Sequence, residues 1–146
     1  MKNKDQTKKI FVDTWAWYAL ADKSDVDHSI AEETNKQLLD DGYLLVTTNN
    51  VLSESVTLMR YKLNHFVAVK FWNMTQQLVE SGFVEVVRVN EWHEQKAWEI
   101  FEKYDDQKFS LVDCTSFAVM QDLSLSEVFT GDHHFSIMGF ICVPSF

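Results

Sequence analysis

Short, nearly continuous apolar runs alternate along this chain with longer stretches in which apolar positions recur every three or four residues. The short runs are KKIFVDT (8–14), YLLVTT (43–48), FVEVVRV (83–89), EVFTG (127–131) and GFICV (139–143). Their length and β-branched, aromatic content predict strands. Between them, 15–21, 27–42, 49–63, 65–82, 91–104 and 110–123 carry helical periodicity. Gly42 and Gly82 read as helix stops, Asn49 or Asn50 and Ser110 as N-caps, and DDQKF (105–109) as a loop. Strands separated by helices of this length imply a parallel sheet covered on both faces. In such sheets ligands bind beyond the carboxyl ends of the strands.

No repeat, linker or composition break divides the chain, so 1–146 reads as one domain, with the basic stretch 1–9 as a flexible N-terminal segment. That size buries a core without disulfides or structural metal. Cys114 and Cys142 lie in apolar segments at no metal-like spacing and read as reduced core thiols. No signal-peptide core or membrane-length apolar run is present, so the expectation is a cytoplasmic protein without a membrane span. The formal net charge of −9 counts against binding nucleic acid by phosphate neutralisation alone. It is compatible with a nuclease whose carboxylates surround a divalent cation.

Four acids sit where a parallel sheet delivers ligands. Asp13 follows IFV directly, Asp132 lies just past VFT, Glu54 falls near the start of the helix after LLVTT, and Asp113 is in the first turn of the helix opened by Ser110. Each has an ordinary alternative. Asp13 could cap the next helix, Glu54 could answer the helix dipole, Asp113 could complete a capping box with Ser110, and Asp132 could be a turn residue. If the strands are parallel and central, all four converge on one sheet edge. Packed carboxylates repel and shift one another's pKa values, a conflict that a hard cation such as Mg²⁺ or Mn²⁺ removes.

The segments IFVDTWAW, VLSES, FSLVDCTSFAVM and VFTGDHHF, in that order and spacing, resemble the PIN-domain ribonucleases, and most of all the small single-domain members that include VapC-type toxins. The resemblance runs from about Ile10 to Val143. It implies a three-layer α/β/α sandwich with a central, mainly parallel sheet, and a Mg²⁺- or Mn²⁺-dependent endoribonuclease that hydrolyses RNA phosphodiesters. It makes Asp13, Glu54, Asp113 and Asp132 the catalytic, metal-binding acids, with Thr14, Ser110 and Thr130 as polar supports. Asp106 joins them as an auxiliary candidate from its charged loop. Gly131 departs from the pattern, which usually carries a bulkier residue there. The implied partners are RNA, a small antitoxin protein and a second copy of the chain. The apolar excess in HFVAVKFWNM (65–74) is a candidate dimer surface.

His133 and His134 invite a zinc reading, but His28, His65 and His93 show no paired spacing and neither cysteine has a companion. Within the resemblance, Asp-x-His-Phe assigns Asp132 to the cluster and leaves His134 and Phe135 structural, with one histidine free to contact phosphate. Arg60, Lys62, Lys70 and Lys108 are candidate phosphate contacts. Trp15, Trp17 and Tyr18 could stack bases or pack the core. Two other readings compete. A different Mg²⁺-dependent phosphohydrolase of the phosphoaspartyl type would need a second Asp where Trp15 stands, and a receiver domain would need an acid pair after the first strand and a late lysine. A catalytically silent PIN-like interaction module would not need all four acids.

Overall fold

A computed structural model of the chain describes residues 7–145. Of the stretch 1–9 expected to be flexible, 1–6 lie outside the described residues, and Lys9 opens the first strand. Strands β1 (Lys9–Val12), β2 (Leu44–Thr48), β3 (Val84–Val87), β4 (Glu127–Phe129) and β5 (Ile141–Val143) form one sheet in the order β3-β2-β1-β4-β5. Every neighbouring pair is parallel. The helices are α1 (Thr14–Ala21), α2 (His28–Asp40), α3 (Asn49–Lys62), α4 (His65–Glu80), α5 (Glu91–Lys103), α6 (Leu111–Asp122) and the short α7 (His134–Ile137).

The chain runs outward from β1 to β2 to β3, then crosses back to β4 and β5 on the other side. Right-handed crossovers therefore put α1–α4 on one face and α5–α7 on the other. Helix α1 packs on both α2 and α3, and α3 packs on α4, while α5 packs on α6. The result is the three-layer α/β/α sandwich. Ile10, Phe11, Val12 and Val46 have no exposed surface, which is why the central strands read as continuous apolar runs rather than alternating ones. Helix α6 is buried at every position from Cys114 to Met120, the small polar residues Thr115 and Ser116 included.

Local signals hold with small shifts. The cap of α3 is Thr48, whose Oγ1 accepts the Val51 N–H at 3.0 Å; Asn49 instead accepts the Val89 N–H at 2.8 Å, tying α3 to the segment after β3. Gly42 and Gly82 take φ of +80° and +81° just past α2 and α4, the left-handed conformation that ends a helix and that glycine adopts without a Cβ clash. The point that matters for function is the reversal of strand order. Strands β1 and β4 are neighbours whose crossovers leave in opposite directions, and their carboxyl ends flank the crevice this opens.

Candidate metal centre

Strand β1 ends at Val12 and passes at once into α1, leaving Asp13 at the strand tip. Asp13 occupies the N-cap position, yet its carboxylate makes no capping hydrogen bond. It is held from the neighbouring strand instead. The Asp13 N–H donates to the Phe129 carbonyl at 3.2 Å, and Thr130 Oγ1, one residue further, donates to Asp13 Oδ2 at 3.0 Å. The same hydroxyl oxygen accepts the Asp132 N–H at 3.0 Å. One fully buried threonine thus fixes the first acid against the turn that carries the last.

Asp113 arrives from the opposite layer. Ser110 Oγ accepts the Asp113 N–H at 2.9 Å and Asp113 Oδ2 accepts the Ser110 N–H at 3.0 Å, a complete capping box. The capping and site readings of Asp113 are therefore compatible: the box aims the side chain. His134 completes the arrangement. Its Nδ1 lies 3.3 Å from Asp113 Oδ2 and 3.4 Å from Asp132 Oδ1, and its backbone N–H donates to Asp132 Oδ1 at 2.9 Å. Asp113, Asp132 and His134 each offer a donor atom within 4.8 Å of the others. In sequence His134 looks structural; in the structure its ring nitrogen joins the acid cluster. Phe135 does pack as core, with its ring against Phe11 and Phe117.

Electrostatics mark the same spot. Burial, and after it the negative charge of Asp113, push the Asp13 carboxyl from its ordinary 3.8 up to about 7. Asp132 adds to the rise, while hydrogen bonds from the Thr130 hydroxyl and the Thr14 amide work against it. A buried acid crowded by two others is a site short of positive charge. Two carboxylates and an imidazole around one point, with a third carboxylate held deeper by Thr130, fit a divalent cation by number and kind of donor.

Glu54 stands somewhat apart. It lies in the second turn of α3 rather than the first, so the helix-dipole alternative loses its basis. Its Oε1 accepts the Thr14 hydroxyl at 2.7 Å, which anchors it to the residue after Asp13. From Glu54 a groove of about 470 Å³ runs between α3 and the start of α6, lined by Asn50, Thr57, Tyr61 and Val112. Tyr61 is 84% exposed, and the sequence reading missed it. Its signal was its place between Arg60 and Lys62 on the helix that carries Glu54.

The remaining candidates fall outside the cluster. Asp106 is exposed in the loop before α6, and among the described residues no hydrogen bond or ion pair ties it to the acids. Arg60, Lys62 and Lys108 are exposed; the Lys62 ammonium sits 5.4 Å from the Tyr18 ring centre. Lys70 lines a different, apolar groove of about 830 Å³ with Trp17, Phe66 and Phe71. Trp17 is core, stacked edge-on against Phe71 with its indole N–H donated to Thr47 Oγ1 at 3.3 Å. Trp15 is half-buried and meets Phe129 edge-on. A Cβ on Gly131 would come within 2.6 Å of Trp15 Cζ2, so the glycine that departs from the resembling pattern is the one that makes room for this indole.

Known proteins resemble this chain in sequence and fold. Residues 10–141 match the PIN domain. The chain is 33% identical over 132 residues to the 23S rRNA-specific endonuclease VapC20 of Mycobacterium tuberculosis, covering 90% of this chain and 95% of that protein. It is 33% identical over 94 residues to a VapC ribonuclease of Archaeoglobus fulgidus, covering 64% of this chain and 56% of that one. The crystal structure of the Mycobacterium tuberculosis VapC20, a sarcin–ricin loop cleaving toxin, matches with a TM-score of 0.79 at 34% identity, over 90% of this chain and 96% of that one.

Proposed function

The chain belongs to the PIN-domain family, and from that premise we propose that it is a toxin-type endoribonuclease that cuts RNA with a divalent cation, Mg²⁺ or Mn²⁺, at the Asp13–Asp113–Asp132 cluster. The observation that carries this reading is the meeting of Asp113, Asp132 and His134 within 4.8 Å of one another at the β1/β4 crevice, beside a buried Asp13 whose carboxyl is pushed up to about 7 by burial and by Asp113. Asp113 and Asp132 would hold the ion, with the buried Asp13 adding negative charge beside them. A cation bound there supplies Lewis-acid polarisation of the scissile phosphate and a nucleophilic water at neutral pH. Glu54, fixed by Thr14, would orient the attacking water and accept its proton as the new P–O bond forms, while the ester P–O bond breaks and the departing oxygen takes up a proton from solvent.

The groove from Glu54 past Tyr61 is the path for the RNA strand. Tyr61 offers an exposed ring for base stacking, and Arg60 and Lys62 beside it meet phosphates; Lys108 flanks the Asp113 side. With a net charge of −9, such local contacts must carry binding that the overall field opposes. The substrate class is a structured rRNA loop, by analogy with the mycobacterial relative. Two protein partners belong to the reading. A second copy of the chain covers the α4 face, where Phe66 is 73% and Trp72 45% exposed. A small antitoxin protein restrains the nuclease. No helix among the described residues is long and apolar enough to cross a membrane.

The test is cleavage of end-labelled rRNA containing the sarcin–ricin loop by the purified protein. Mg²⁺ or Mn²⁺ should be required, and chelator or Asp113→Asn should abolish the products. Cleavage that survives either treatment would overturn the reading.

A further inference from the structure

The donor geometry around His134 has a consequence for which cation the site selects. Adjacent ligands on an octahedral ion with bonds of about 2.1 Å sit roughly 3 Å apart. His134 Nδ1 lies 3.3 Å from Asp113 Oδ2 and 3.4 Å from Asp132 Oδ1, near that edge length on both sides. Its place does not come from chance rotamer freedom. The ring is edge-on to the buried Phe109 at 5.3 Å, the backbone N–H is bound to Asp132 Oδ1, and the side chain keeps only 19% of its exposure. By contrast His133, one residue earlier, is 79% exposed, with Nδ1 4.0 Å from Asp132. Helix α7 creates this difference. By beginning at His134 it sends one histidine outward and the next inward, onto the acids.

Resting on the divalent-cation reading above, we propose that His134 is a direct ligand through Nδ1, making a mixed imidazole–carboxylate centre that prefers Mn²⁺ to Mg²⁺. Carboxylate and water suit both ions. A nitrogen donor adds affinity for first-row transition ions and little for Mg²⁺, which keeps oxygen ligands and several waters. The selectivity is thus lodged in one residue of the turn, separately from the acids that supply the charge.

Pulsed electron paramagnetic resonance of the Mn²⁺-loaded protein reads this directly, because a coordinated imidazole couples its ¹⁴N to the Mn²⁺ spin. The expected result is a ¹⁴N coupling in the full chain that becomes a ¹⁵N coupling when the histidines are ¹⁵N-labelled, a comparison that changes no residue. The coupling should persist in His133→Asn and vanish in His134→Asn. Calorimetric titration should show His134→Asn losing roughly tenfold or more in Mn²⁺ affinity with Mg²⁺ affinity much less affected. Mn²⁺ that binds without histidine coupling, or His134→Asn weakening both ions alike, would overturn the assignment and leave the carboxylate site standing. Failure of the wild-type protein to bind either ion would overturn the cation reading itself, and this inference with it.

Discussion

Replacing Asp13 by asparagine separates what this acid costs the fold from what it gives the site. In the metal-free protein, burial and Asp113 raise its carboxyl from 3.8 to about 7, so the folded state holds the proton more tightly than the unfolded chain does. The stability this contributes is complete below about pH 4 and is lost as the pH climbs to about 7. Above that, folding must bury a charge. At 1.36 kcal/mol per pH unit, the loss approaches roughly 4 kcal/mol at pH 8, a ceiling reached when the cluster does not open to water. Asparagine has the same shape, still accepts the Thr130 hydroxyl and carries no charge. Asp13→Asn should therefore be the more stable protein in chelator, by under about 2 kcal/mol at pH 5 and by up to about 4 kcal/mol at pH 8. Urea unfolding followed by tryptophan fluorescence at several pH values measures the difference, and acids common to both proteins largely cancel in it. Mn²⁺ at a hundredfold excess over its Kd should add about 2.7 kcal/mol to the wild type and less to the variant. A gap that does not grow with pH, or a variant that is the weaker protein at pH 8 in chelator, would refute the reasoning.

The supports of the acids can be tested in the same way. Ser110→Ala removes half the capping box and should cost about 1 kcal/mol while leaving more cleavage than Asp113→Asn, as compared by urea unfolding and RNA cleavage rates. Thr14→Val deletes the 2.7 Å hydrogen bond to Glu54; cleavage should fall at least tenfold with Mn²⁺ binding by calorimetry nearly unchanged, since Glu54 lies outside the donor set. Gly131→Ala sets a Cβ against the Trp15 indole and should destabilise by about 1–3 kcal/mol, with much of that returned by adding Trp15→Leu. Failure of that second substitution to help in thermal melts would mean that the indole is not what forbids a side chain there.

The strand and helix alternation was legible because both faces of the sheet are covered. Burial on both sides turned β1 and β2 into unbroken apolar runs, and α2 to α5 kept their periodicity because each shows one face to solvent. What failed was finer. Asn49 carried a good capping residue type, but Thr48 took the cap because Asn49 was needed to bind the Val89 amide across the chain. Glu54, expected near the helix start, lies in the second turn because the cap is Thr48 rather than Asn49 or Asn50.

The acids were legible as residues at strand and helix ends, but their roles were not. Asp13 was indistinguishable from a cap until Thr130, far along the chain, proved to hold its carboxylate. Asp113 looked like a choice between cap and site, and the two are compatible, since the Oδ2 that accepts the Ser110 N–H also lies 3.3 Å from His134 Nδ1. His134 was unreadable for a different reason. In sequence it is one of two adjacent histidines, and only the onset of α7 decides which of them turns inward. A four-residue helix leaves almost no periodic signal, yet it sets the donor chemistry of the centre. The acids could be found by asking where strands end; the histidine could be found only by knowing how the turn after β4 closes.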